Sequence, residues 1–206
     1  MVLYKDIEIK WLGHASFKIK RNKIIYIDPF DIAEKEKADI ILITHEHYDH
    51  CSVEDVKKII KNDTIIFTVS DCAKKLGMNV KLVKPGDKIK IENIEIEAVP
   101  SYNINKQFHP KSRGWVGFIL NINGVRIYHA GDTDFIPEMK DIKVDIALVP
   151  IGGTYTMNYE EAAHAVEVIK PKIVIPMHYG KIVGSKEDVL KFKKLLEGKD
   201  IDVIFG

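Results

Sequence analysis

Residues 39–50 read Asp39-Ile40-Ile41-Leu42-Ile43-Thr44-His45-Glu46-His47-Tyr48-Asp49-His50. The first half is a continuous apolar run, which suits a β-strand covered on both faces. The second half places three imidazoles and the Asp49 carboxylate, besides Glu46, within six residues, in a chain with 8 histidines in all. That run makes a poor solvated loop and a good metal cradle. Neutral imidazole nitrogens bind zinc and similar ions, and a carboxylate adds negative charge to the site. In an extended turn His45 and His47 point the same way, while Asp49 and His50 can swing towards a second ion. Ser52 follows with Asp55 three residues later, a capping-box spacing, and Val53, Val56, Ile59 and Ile60 share one face of the helix this predicts. Cys51, at the helix start, reads as a small packed hydrophobe.

On the N-terminal side, residues 7–12, 15–20 and 23–28 are strand-like and rich in β-branched residues. Beyond the first helix come a strand at 64–68 and a short helix capped by Ser70 and ending at Leu76. A similar plan then repeats. Strands at 88–91 and 94–99 precede a polar loop at 100–114. Strands at 115–122 and 125–129 flank Asn123-Gly124, a type I′ hairpin signal. A buried strand at 145–149, a helix capped by Asn158 and Glu161 and running to about residue 170, a strand at 172–176, a helix from Ser185 and a strand at 201–205 complete the order. Short strands followed by strand–helix crossovers, twice over, predict an α/β chain with two sheets packed together and helices outside. Neither a linker nor a low-complexity segment interrupts residues 1–206, which read as a single domain.

Composition limits the function classes. Hydrophobic residues make up 46% and charged residues 30% of 206, and the net charge is +1. This is ordinary globular chemistry without the basic excess of a nucleic-acid binder. Of 31 basic residues just Arg21, Arg113 and Arg126 are arginine, and Gln is scarce, a balance that fits a thermophile. Cys51 and Cys72 are the two cysteines, so no disulfide framework is implied and a reducing, cytoplasmic location is expected. No signal peptide or membrane-spanning run is evident, and no membrane partner is expected.

Further chemistry-bearing residues lie at strand ends. Asp132 sits in a Gly-Asp-Thr turn after 125–129 and alone would read as a turn former. His178 follows the strand at 172–176, where a lone loop histidine would be unremarkable. His14, in the first hairpin, is either a proton donor or substrate contact or a strand-end residue bonded to backbone. His129 reads as a core residue and His164 as a structural one. The Gly152-Gly153-Thr154-Tyr155-Thr156 loop is a plausible substrate contact, although a bare Gly-Gly is a weak phosphate signal.

Five segments together, Trp11-Leu12-Gly13-His14-Ala15-Ser16-Phe17, Asp28-Pro29-Phe30, the His cluster, Tyr128-His129-Ala130-Gly131-Asp132-Thr133 and Pro176-Met177-His178-Tyr179-Gly180, resemble in order and kind the metallo-β-lactamase superfamily. The superfamily signature is His-x-His-x-Asp-His at the end of a buried strand. More narrowly, the chain resembles metal-dependent hydrolases related to the L-ascorbate-6-phosphate lactonase. The resemblance implies an αβ/βα sandwich of two mixed sheets. It also implies two divalent metal ions, with His45 and His47 on the first, Asp49, His50 and His178 on the second, and Asp132 bridging. The third histidine of the first ion has no direct counterpart after 94–99, where Asn103 stands and no His appears until His109. Either Asn103 takes that place, or His109 reaches in, or the first site is loosely held.

The reaction this predicts is hydrolysis of a small ester, lactone or phosphodiester by hydroxide generated at the ions, with Asp49 and His14 as candidate catalytic groups. Zinc is the first expectation among metals, with manganese, nickel and iron admissible. A nuclease or RNA-processing enzyme of the same fold is an alternative, but the chain has no room for an RNA-gripping arm and lacks its charge. A non-hydrolytic redox protein is another, although its relatives tend to replace the second His of the cluster, and here His47 is present. The expected partner is a small-molecule substrate, with no nucleic acid; a homo-oligomer is compatible with the sequence.

Overall fold

The computed structural model describes residues 1–205, which divide into two compact units, Met1–Val83 and Lys84–Phe205. In the first unit, β1 (Val2–Tyr4), β2 (Ile7–Gly13), β3 (Ser16–Lys20), β4 (Ile24–Ile27), β5 (Ile40–Ile43), β6 (Ile65–Thr68) and β7 (Lys81–Leu82) form one seven-stranded sheet in sequential order. Pairing is antiparallel from β1 to β4 and parallel from β4 to β7. The helices α1 (Val53–Ile59) and α2 (Ser70–Leu76) belong to the parallel half.

The second unit repeats the plan. Its strands are β8 (Lys88–Ile91), β9 (Ile94–Pro100), β10 (Val116–Ile122), β11 (Val125–His129), β12 (Ile146–Pro150), β13 (Ile173–Met177) and β14 (Asp202–Val203), again sequential in one sheet. Strands β8 to β11 are antiparallel and β11 to β14 parallel. The helices α3 (Tyr159–Ile169) and α4 (Lys186–Leu195) fall in its parallel half.

Side-chain pattern explains the layout. All four residues of β5 are buried, as are all five of β12 and β13, which is what parallel strands covered on both faces require. Each fully buried Ile or Leu contributes roughly 1.5–3 kcal/mol, so β5 is a rigid base for the loop that follows it. Strand β2 alternates at its start, with Ile7 and Ile9 buried and Glu8 and Lys10 exposed, as a half-covered strand does. The β10–β11 hairpin turns on Asn123 (φ 50°) and Gly124 (φ 83°), the two positive angles that a type I′ turn demands and that this residue pair tolerates.

Helix caps follow the sequence with two corrections. Asn158 and Glu161 form a full capping box on α3, and Ser185 with Asp188 forms another on α4. Ser52 caps α1 by accepting from the Asp55 backbone N–H at 3.3 Å. The Asp55 carboxylate does not return to the Ser52 backbone, however. It accepts from the Ser52 hydroxyl, Lys58 and the backbone N–H groups of Asp31 and Ile32. Burial alone would raise its pKa, but these donors hold the carboxyl below its ordinary value. Ser70 is the first residue of α2 rather than its cap; Val69 occupies that position, with no side-chain bond. Strands β1 and β7 were not expected, and β14 is shorter than residues 201–205. Among the described residues no helix is long and apolar enough to cross a membrane.

Candidate metal centre

In each unit the ligand-type residues sit mainly at loop ends of strands, where backbone polar groups are free to turn and a rigid sheet fixes their origin. In the first unit β5 ends at Ile43 and the cluster begins. His50 and Cys51 donate their backbone N–H groups to the His47 carbonyl at 3.1 and 2.8 Å, closing the loop into a tight turn. His45, Asp49 and His50 are buried and His47 is half-buried. The His45 Nε2 lies 3.1 Å from the His47 Nδ1. Two nitrogens around one tetrahedral zinc, at about 2.0–2.1 Å each, are about 3.3 Å apart, so the spacing suits a shared ion.

Asp28, at the end of β4, organises this loop. Its Oδ1 accepts from the Thr44 backbone N–H at 2.8 Å, and its Oδ2 accepts from the Thr44 hydroxyl at 2.7 Å and from His50 Nδ1 at 2.8 Å. The Thr44 hydroxyl therefore spends its proton on Asp28 and accepts from His45 Nδ1 at 3.0 Å. Both rings thus carry their proton on Nδ1 and offer Nε2 as a lone pair, the form a metal needs. Asp28 belongs to the Asp28-Pro29-Phe30 segment, whose sequence alone assigns it no role. The available signal was an Asp at the mouth of a strand beside the ligand strand.

His14 is buried in the β2–β3 turn, with its Nε2 2.8 Å from Asp49 Oδ2. Trp11 Nε1 donates to its carbonyl at 2.8 Å and holds the turn. One donor atom each from His14, Asp49 and His50 lies within 4.8 Å of the others, so His14 has ligand geometry as well as proton-donor geometry. Its φ of 50°, and those of Asp28 (45°) and His178 (59°), fall in the left-handed region. Such backbone costs of order 1–3 kcal/mol for a non-glycine residue and persists where surroundings over-determine it, often at functional sites.

In the second unit Asp132 follows β11 and His178 follows β13. Asp132 Oδ2 lies 3.0 Å from His178 Nε2 and 3.3 Å from His109 Nε2, and all three residues are buried. Asn103 does not take the place of a histidine ligand. Its amide is occupied by His109, Asp134 and the Tyr155 carbonyl. His129 is buried and accepts from the Gly131 N–H at 3.2 Å, as a core histidine would. His164 is exposed on α3, edge-on to Phe135 at 4.8 Å. Cys51 and Cys72 are buried free thiols. Their mutual hydrogen bond leads the causes in both, lowering the pKa of Cys51 and raising that of Cys72.

The His178 loop depends on a glycine outside it. A Cβ at Gly152 would lie 2.1 Å from the His178 carbonyl oxygen and 2.7 Å from Val183 Cγ2. Gly152→Ala is therefore expected to push His178 out of place and to cost roughly 1–3 kcal/mol as overpacking. Thermal denaturation with and without added zinc checks this: the variant should melt lower and gain less from the metal than wild type.

The donor set, neutral imidazoles with outer hydrogen-bond partners together with Asp49 and Asp132, fits borderline divalent ions. Residues 8–178 match the family model for the beta-lactamase superfamily domain. The chain belongs to the metallo-β-lactamase superfamily. Within the superfamily it is 38% identical to a UPF0173 metal-dependent hydrolase of Thermoplasma acidophilum, over 93% of this chain and 91% of that one. A UPF0173 metal-dependent hydrolase of Pyrococcus furiosus is 35% identical, over 94% and 93%. Among solved structures, a candidate metal-dependent hydrolase from Parabacteroides distasonis has a TM-score of 0.89 at 39% identity, covering 97% of this chain and 92% of its own. A metallo hydrolase from Ignicoccus hospitalis has a TM-score of 0.80 at 25% identity, covering 97% and 94%. The superfamily's metal-dependent hydrolases are thus the enzymes this chain is grouped with.

Proposed function

We propose that this superfamily member hydrolyses a small ester, lactone or phosphodiester with two divalent cations, zinc foremost. The proposed ligands in the first unit are His45, His47, Asp49 and His50, and those in the second are His109, Asp132 and His178. The observation that carries the reading is the Asp28–Thr44–His45 and Asp28–His50 network, which sets two rings of the cluster in the metal-binding tautomer. When bound, two such ions bring the pKa of a coordinated water towards neutrality and polarise a carbonyl or phosphoryl oxygen.

The chain's own groups supply the rest. In this reading Asp49 Oδ2 accepts a proton from water, and His14 Nε2, 2.8 Å from it, receives that proton and returns it to the leaving group. Phe30 and Tyr48 stand edge to face at 5.7 Å in the first unit, and Phe108 and Tyr155 at 4.6 Å in the second. Tyr48, Ile104 and Phe108 are exposed. Apolar side chains next to ligand residues suit a small organic substrate better than a phosphate backbone, which would call for Lys and Arg. The two buried free cysteines fit work in a reducing, cytoplasmic setting.

The test is hydrolysis of three chromogenic probes (p-nitrophenyl acetate, a thio-lactone read with a thiol reagent, and bis-p-nitrophenyl phosphate) before and after chelation. At least one should be turned over, lost on chelation and regained with zinc or manganese. Turnover indifferent to the chelator would defeat the reading.

A further inference from the structure

The loop at 101–110 contains an asparagine whose four hydrogen-bonding positions are all used. Asn103 Nδ2 donates to Asp134 Oδ1 and to the Tyr155 carbonyl, each at 3.0 Å. Its Oδ1 accepts from the His109 backbone N–H at 3.0 Å and meets His109 Nδ1 at 2.9 Å. The amide orientation is fixed twice over. The nitrogen must face the two acceptors on one side, and a backbone N–H on the other side can meet an oxygen but not an NH₂. The backbone adds its own tie, from the Asn103 N–H to the His109 carbonyl at 2.7 Å. Asp134 is anchored in turn by the Ile104 N–H at 2.8 Å and by Lys106 Nζ at 2.5 Å.

We propose that Asn103 is a positioning residue that fixes the tautomer of His109 and so sets metal affinity at that ligand. An amide oxygen accepts and never donates, so His109 Nδ1 carries the ring proton. Nε2 is left as a lone pair 3.3 Å from Asp132 Oδ2. A lone pair facing a carboxylate at that distance is stabilised by a cation between them. Asn103 thus does for His109 what Asp28 does for His50, from a loop rather than a strand end. It also accounts for an asparagine standing where a histidine was expected, since it holds a histidine that arrives six residues later.

The inference rests on His109 being a ligand, and the experiment separates the two. Zinc affinity of the full chain is measured by competition with a chromogenic chelator for wild type, Asn103→Ala, His109→Ala and the double variant. Asn103→Ala should weaken zinc binding about 10–100-fold, the usual loss for an outer partner of a ligand. In the His109→Ala background the same change should add nothing; a general structural role would instead add its cost again. The wild-type tautomer is read directly from the ring ¹⁵N shifts of His109 in metal-free protein, which does not depend on any variant folding. A proton on Nε2, or an Asn103→Ala variant with wild-type affinity while His109→Ala loses metal, overturns the role of Asn103 alone. Unchanged affinity in His109→Ala overturns the ligand reading and the inference with it.

Discussion

Replacing Asp132 with asparagine is expected to reduce hydrolysis by at least about 100-fold, more than the 10–100-fold typical of an outer partner, with the fold intact. The carboxylate is buried between two imidazoles, 3.0 Å from His178 Nε2 and 3.3 Å from His109 Nε2. An amide of the same shape removes the charge that offsets a divalent ion and turns half of the group into a donor that ties up an imidazole lone pair. The backbone role of the residue is untouched, since its carbonyl still accepts from Ser101 Oγ at 2.9 Å. Circular dichroism should therefore match wild type, while metal content measured by plasma mass spectrometry falls. An Asp132→Asn protein with full metal and full turnover would remove this residue from the centre.

The second large effect is at Asp28, where the loss should appear first in stability. The side chain is fully buried and accepts three hydrogen bonds, two from Thr44 and one from His50. Alanine would strand a backbone N–H, a hydroxyl and an imidazole N–H without their acceptor. Removing one member of such a buried charged network costs about 3–5 kcal/mol. Urea unfolding of the metal-free protein is the proper measurement, because bound metal would add its own stabilisation. Asp28→Asn should lose less stability but still weaken metal binding, since an amide cannot satisfy all three donors with one oxygen. Equal stability of Asp28→Ala and wild type would show that the network is dispensable.

These two residues also show where sequence reading succeeds and fails. Strand β5 and its histidine loop were legible as a candidate metal cradle because a four-residue apolar run and three clustered histidines need no distant partner to be understood. The twofold plan of antiparallel then parallel strands followed from element order, because parallel neighbours require crossovers. Asp132 and His178 were legible as candidates through superfamily resemblance and their place at strand ends, and their side chains lie 3.0 Å apart. The role of Asp28 was not legible, because its partners Thr44 and His50 lie 16 and 22 residues away. No local pattern tells a turn-forming Asp from one that anchors a ligand. Asn103 and His109 were both legible as candidates for the third-ligand position, but the hydrogen bonds between them, from the His109 backbone N–H and ring to Asn103 Oδ1, were not, because residue type alone does not give side-chain direction. The short edge strands β1, β7 and β14 went unread or misjudged because two or three residues carry no periodicity, and pairing with a neighbour alone makes them strands.

The central claim is that this chain holds two divalent ions through these histidines and aspartates. The most direct test is the metal content of untagged protein by plasma mass spectrometry, with His47→Ala beside wild type, before and after reconstitution with zinc. The account predicts about two ions per wild-type chain and a clear loss in the variant. A wild-type chain that retains no metal even after reconstitution would contradict it.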